Sequence, residues 1–77
     1  CDFVIRDSGV NTSAIQVCYE LNGANREREI GGLVEAMTDL GLDEGIILTY
    51  SQDETIPVDT GRTIAVVPVW RWLLGKV

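Results

Sequence analysis

The chain has no histidine and only two cysteines among its 77 residues. That shortage removes the imidazole and thiolate clusters from which zinc and haem sites of recognisable spacing are built, and it leaves no disulfide framework. Cysteine use of this kind fits a reducing compartment, so the expected location is cytoplasmic. Cations are scarce as well: six Lys and Arg stand against twelve Asp and Glu, for a net charge of −6. Such a balance disfavours general binding to nucleic acid or to anionic membrane, since both are met by Lys and Arg. No apolar run approaches the ~20 residues of a membrane-spanning helix, and nothing reads as a signal peptide. The chain also lacks any Gly-X-X-X-X-Gly-Lys-Ser/Thr string, which excludes ATP binding by that loop.

The length allows one domain, near the lower end of what a single core stabilises. Both Trp residues, one of the two Pro residues and a dense apolar run fall in the last ten positions. The C-terminus is therefore expected to supply much of the core or an interface. The chain opens on Cys1 instead of Met, and Asp2-Phe3-Val4-Ile5 reads as mid-strand. An excised piece of a longer protein, missing its upstream partners, is the expectation.

Ser13 to Glu20 alternates apolar with small or polar side chains more cleanly than any other stretch, and it is taken as the central strand. Ile15, Val17, Tyr19 and Leu21 share one face, expected to be core; Ala14, Gln16, Cys18 and Glu20 share the other. That second face forms either another buried layer or the floor of a site. Cys1 to Arg6 reads as a strand, and the turn formers between Asp7 and Thr12 predict a hairpin into the next strand. With its loop centred on Gly9, Phe3 falls opposite Ile15 and Asp2 opposite Gln16. Asp2, Gln16 and Cys18 then share a face, while Cys1 and Cys18 lie on opposite ones, which weighs against a disulfide between them.

Asn25 is placed to cap a helix from Arg26 to about Leu40, with Ile30, Leu33, Val34, Met37 and Leu40 at helical spacing. Glu27 and Glu29 sit in the first turn, where the helix dipole favours acids, and Gly41 fits the C-terminal cap. Gly31-Gly32 costs about 1 kcal/mol per residue relative to Ala, which points to close packing against the sheet or a weak helix. Gly45 to Tyr50 is an almost continuous apolar run of the kind buried on both faces. Thr55–Val58 and Arg62–Val67 read as a second hairpin, with Pro57 demoting the first arm to an edge. Pro68 opens a last helix over Val69 to Leu74, ended by Gly75. The fold class is α/β: a mixed sheet with a central, right-handed crossover helix and a short C-terminal helix.

By geometry alone, Asp2, Gln16 and the Val17 carbonyl make a weak oxygen-rich site suited to a hard divalent cation, against the plainer reading of solvated polar groups on a sheet face. Cys18 is either a reactive thiol or a small apolar filler, and no neighbouring His or Lys favours the thiolate. Arg26-Glu27-Arg28-Glu29 is either a phosphate or partner contact or a solvated helix start with its own ion pairs. Trp70 and Trp72 either anchor a partner, including a second copy through Val69 to Leu74, or close a small core.

Five segments in order carry a resemblance over nearly the whole chain: Cys1-Asp2-Phe3-Val4-Ile5, Ile15 to Leu21, Arg26 to Ile30, Ile47 to Tyr50, and Val66 to Leu74. Together they resemble the C-terminal domain that follows the ATPase core in a family of archaeal and bacterial AAA-type ATPases. That domain is in turn similar to the PD-(D/E)XK nucleases, so the resemblance implies a restriction-endonuclease-like core lacking its first helix. It implies an upstream ATPase domain as partner. It matches Asp2 to the metal-binding Asp, Gln16 to the acid of the acid-X-Lys element and Cys18 to its Lys. Two of these three positions depart, since Gln16 removes a negative charge and Cys18 a cation. The expected function is a noncatalytic interaction or regulatory module with no cofactor. The alternatives are a divergent nuclease holding Mg²⁺ or Mn²⁺ at Asp2 and Gln16, with Arg6, Arg26 or Arg28 supplying charge, and a homodimerisation domain.

Overall fold

The computed structural model describes residues 2–75. Strand β1 (Phe3–Asp7) turns into β2 (Val10–Val17), followed by helix α1 (Arg26–Leu40) and strand β3 (Glu44–Thr49). Strands β4 (Glu54–Asp59) and β5 (Arg62–Pro68) then lead into α2 (Val69–Leu73). The strands form one mixed sheet in the order β1-β2-β3-β5-β4. The two hairpins pair antiparallel, while β2–β3 and β3–β5 pair parallel, so α1 is the crossover between parallel neighbours. No helix among the described residues is long and apolar enough to cross a membrane.

The first hairpin turns on Ser8 and Gly9, both with positive φ (55° and 83°), the pair of conformations a two-residue type I′ turn requires. So tight a turn on its own would set Phe3 against Ala14. An irregularity between Ile5 and Arg6 leaves Thr12 unpaired and restores the expected register, Phe3 opposite Ile15. Whether Cys1 and Cys18 approach lies outside the described residues.

The central strand is β3, not β2, and β2 ends at Val17 instead of reaching Glu20. Both faces of the sheet are covered, by layers of unequal size. Helix α1 lays Leu33 and Met37 over Ala14, Ile47, Ile64 and Val66, with Cys18, Leu21 and Leu42 at the margin. Each side chain of this size contributes roughly 1.5–3 kcal/mol when fully withdrawn from water. The opposite face holds the smaller cluster of Ile15, Leu48 and Val67 beneath Val69 and Trp72. The expected core face of β2 is thus corrected: the Ala14–Cys18 face meets the large layer, Ile15 belongs to the small one, and Val17 and Tyr19 are exposed. Leu40 and Tyr50 likewise point to solvent, because α1 rolls past its contact at Met37 and β3 ends at Thr49.

Helix α1 has the predicted bounds, and Gly41 closes it in the left-handed conformation (φ 70°) while the Leu42 amide reaches the Met37 carbonyl at 2.8 Å. Its N-terminus differs from expectation. Asn25 makes no side-chain cap. Its Oδ1 instead accepts from the Asn22 amide at 2.9 Å and its Nδ2 donates to the Glu20 carbonyl at 2.9 Å, while Asn22 Oδ1 accepts from the amides of Ala24 and Asn25. Gly31 and Gly32 face open space, so close packing does not explain them. The glycine that α1 needs is Gly45 of β3, where an added Cβ would stand 2.7 Å from Met37 Sδ.

Candidate functional site

Of the three positions singled out by the resemblance, Gln16 lies in β2, Asp2 just before β1 and Cys18 just after β2, and each side chain has a separate structural partner. Asp2, just before β1, donates its amide to the Ile15 carbonyl at 2.8 Å, and its Oδ2 accepts the Val17 amide at 2.7 Å. The carboxylate closes the end of the β1–β2 ladder. Gln16 lies half-buried toward α1, where its Nε2 donates to Glu29 Oε1 at 2.8 Å. Glu29 also faces Arg28 at 3.6 Å. Cys18 is buried, its amide bound to the Leu48 carbonyl at 2.9 Å and its Sγ 3.3 Å from the Glu20 carbonyl. A small half-apolar filler suits this place better than a reactive thiolate, which needs a cation nearby.

The nuclease resemblance implies Mg²⁺ or Mn²⁺ between Asp2 and Gln16, and the donors present do not fit it. One Asp2 oxygen is committed to the backbone, and the Gln16 carboxamide is neutral and turned to the helix. A hard divalent ion is usually held through one or two free carboxylates with its own waters. Among the described residues no group of three or more His, Cys, Asp or Glu side chains gathers to hold a metal.

Arg26, Arg62 and Arg71 are engaged with acids. Arg26 makes a forked pair with Glu54 (3.0 and 2.9 Å) that ties the first residue of α1 to the start of β4. Arg62 bonds Asp59 at 2.9 Å and Thr38 at 2.8 Å, and Arg71 bonds Asp53 at 2.6 Å. These hydrogen bonds hold Glu54, Asp59 and Asp53 below the usual carboxylate range. Arg6 bonds Asn11 at 3.0 Å and stays with the hairpin turn.

One concavity was not foreseen. It is a groove of about 420 Å³ at the C-terminal ends of parallel strands β2 and β3, walled by Phe3, Val17, Tyr19, Leu48, Tyr50 and Trp72. Ligand crevices of open α/β sheets occur at such strand ends. Tyr19 and Tyr50 stack with ring centroids 5.4 Å apart. They are held together because the Tyr50 amide bonds the Tyr19 carbonyl at 3.0 Å. Just behind them Gln52 clasps Leu21, its Oε1 accepting the Leu21 amide at 2.7 Å and its Nε2 donating to the Leu21 carbonyl at 2.8 Å. The two tryptophans differ: Trp72 packs on the Ile15–Leu48–Val67 cluster, and Trp70 is 57% exposed.

Two of these features escaped the sequence reading. Glu29 carried a usable signal, since it occupies the first turn of a helix that must cross over Gln16. The groove carried little, because its aromatics come from four separated segments. No family model matches the chain, and no solved structure matches it. Over 78 aligned positions the chain is 46% identical to an uncharacterized protein of Methanocaldococcus jannaschii, an alignment that takes in 95% of this chain and 17% of that protein.

Proposed function

We propose that this chain is a noncatalytic, nuclease-like α/β module that serves a larger AAA-type ATPase as an interaction or regulatory domain. The observation that carries this reading is the fate of the two departing positions. Gln16 spends its carboxamide on Glu29, and Cys18 is buried against the Glu20 carbonyl, so the strand that would bear acid-X-Lys chemistry is used for packing. The strand–helix–strand crossover with Asp2 just before the adjacent strand supports a restriction-endonuclease-like core. A relative of which the matching segment is 17% leaves room for an ATPase portion elsewhere in a chain of this kind. The test is incubation of the purified protein with DNA and RNA in Mg²⁺ or Mn²⁺. No cleavage is expected; metal-dependent cleavage lost in Asp2→Ala would overturn the proposal.

A second reading, a divergent metal-dependent nuclease, draws on one observation: Glu29 brings an acid within 2.8 Å of the position where Gln16 lacks one. On that reading Glu29→Gln abolishes cleavage together with Asp2→Ala. Full cleavage in either variant removes it.

A further inference from the structure

We infer that the aromatic groove is a docking site for a polypeptide segment that presents bulky apolar side chains flanked by Lys or Arg. The inference rests on the noncatalytic interaction reading and gives it a surface and a partner chemistry.

The two faces of the sheet are covered unequally. One carries the fifteen residues of α1, the other only the five of α2. Beside α2 the sheet stays open, and Phe3 (51%), Val17 (52%), Tyr50 (63%) and Tyr19 (74%) keep much of their surface in water. A contiguous exposed patch of this kind marks an interaction surface, and rigid aromatics are the side chains most used as binding anchors. The patch is also pre-formed. The stacking of Tyr19 on Tyr50 and the Gln52 clasp fix its floor before any partner arrives.

Charge selects the occupant. Asp2 accepts the amide of Val17 and exposed Glu20 follows Tyr19 directly, so each acid adjoins a wall residue without itself lining the groove. Neither has an Arg partner among the described residues. The Arg of the adjoining helix, Arg71, is already closed by Asp53 at 2.6 Å. The apolar walls therefore sit in the field of a chain of net charge −6. A second copy would bring the same charge to the contact, whereas a segment with basic flanks is drawn in.

The probe is a short amphipathic Leu/Lys peptide, compared with a Leu/Glu peptide of identical apolar pattern, titrated into the ¹⁵N-labelled protein. Saturable shifts are expected at Phe3, Val17, Tyr19, Tyr50 and Trp72, with the Leu/Glu peptide at least ~10-fold weaker. Tyr19→Ser combined with Tyr50→Ser should weaken the Leu/Lys peptide by ~10-fold or more while leaving the melting temperature nearly unchanged, since both rings are exposed. Shifts spread along Glu27 and Glu35 of α1, equal affinity for the two peptides, or full binding by the double variant would each overturn the inference. So would concentration-dependent broadening of the groove signals in the free protein, which marks a second copy as the occupant. Metal-dependent cleavage would instead sink the noncatalytic reading, whatever the peptides do.

Discussion

Replacing Gly45 by Ala adds one methyl group at the point where α1 lies closest to the sheet. The new Cβ would meet Met37 Sδ at 2.7 Å and Leu33 Cδ2 at 3.0 Å, and both side chains are fully buried. Neither can swing into solvent, so α1 must lift or the two side chains must leave their rotamers. Overpacking of this kind costs about 1–3 kcal/mol. Gly→Ala also removes conformational freedom from the unfolded chain, a gain of roughly 0.4–1 kcal/mol where the backbone is compatible. The net expectation is a loss of about 1–2 kcal/mol, which for a domain of this size lowers the melting temperature by roughly 5–15 °C. The same chemical change at Gly31 or Gly32 meets open space and should stabilise by about 0.5–1 kcal/mol each. Thermal melts followed by circular dichroism separate the two signs directly. Met37→Ala, itself costly, should add less than its full penalty on top of Gly45→Ala, because the clashing sulfur is gone. Gly45→Ala melting as high as Gly31→Ala would refute the close approach of α1 to β3.

Two further perturbations test the supports of the site. Gln52→Ala strips both backbone groups of buried Leu21 of their partners and should cost about 1–3 kcal/mol in urea unfolding; an unchanged midpoint would show the clasp to be idle. Asp53, Glu54 and Asp59 have lowered pKa values in the fold through Arg71, Arg26 and Arg62. Their contribution is complete above the unfolded carboxylate range and is lost as pH falls below ~4, so stability should decline there, and less steeply in Arg26→Ala or Arg71→Ala. An identical acid limb in those variants would remove the pairs from the account.

Helix α1 was legible because an acidic first turn, helical apolar spacing and Gly41 all agree on its approximate bounds. Periodicity in β2 was legible too, but a period of two tells which side chains share a face without saying which layer covers it. That choice was made by the length of α1, and it sent the Ala14 side, not the Ile15 side, into the larger core. Gly45 was hidden for a related reason: it reads as the first residue of an apolar strand, and only the crossing of α1 reveals that its missing Cβ matters. Gly31 and Gly32 attracted the packing argument that belongs to Gly45. At the candidate site, the pairing of Phe3 with Ile15 followed from hairpin parity, although a tight turn and an irregularity at Thr12 produce it together. The link from Gln16 to Glu29 joins residues of different periodicity, and the groove joins β1, the ends of β2 and β3, and α2. Neither has a local pattern to betray it.

The strand order carries a consequence for how the chain assembles. Each hairpin pairs residues near in sequence and can close early on its own, but the two never touch each other in the sheet. Within the sheet they are joined only through β3, which pairs with both in parallel once longer loops are spanned. Six residues therefore decide whether two separate ribbons become one cooperative unit. Until β3 is seated, each ribbon exposes an unpaired edge of Val, Ile and Thr side chains, so conditions that slow its insertion are those in which intermolecular strand pairing competes.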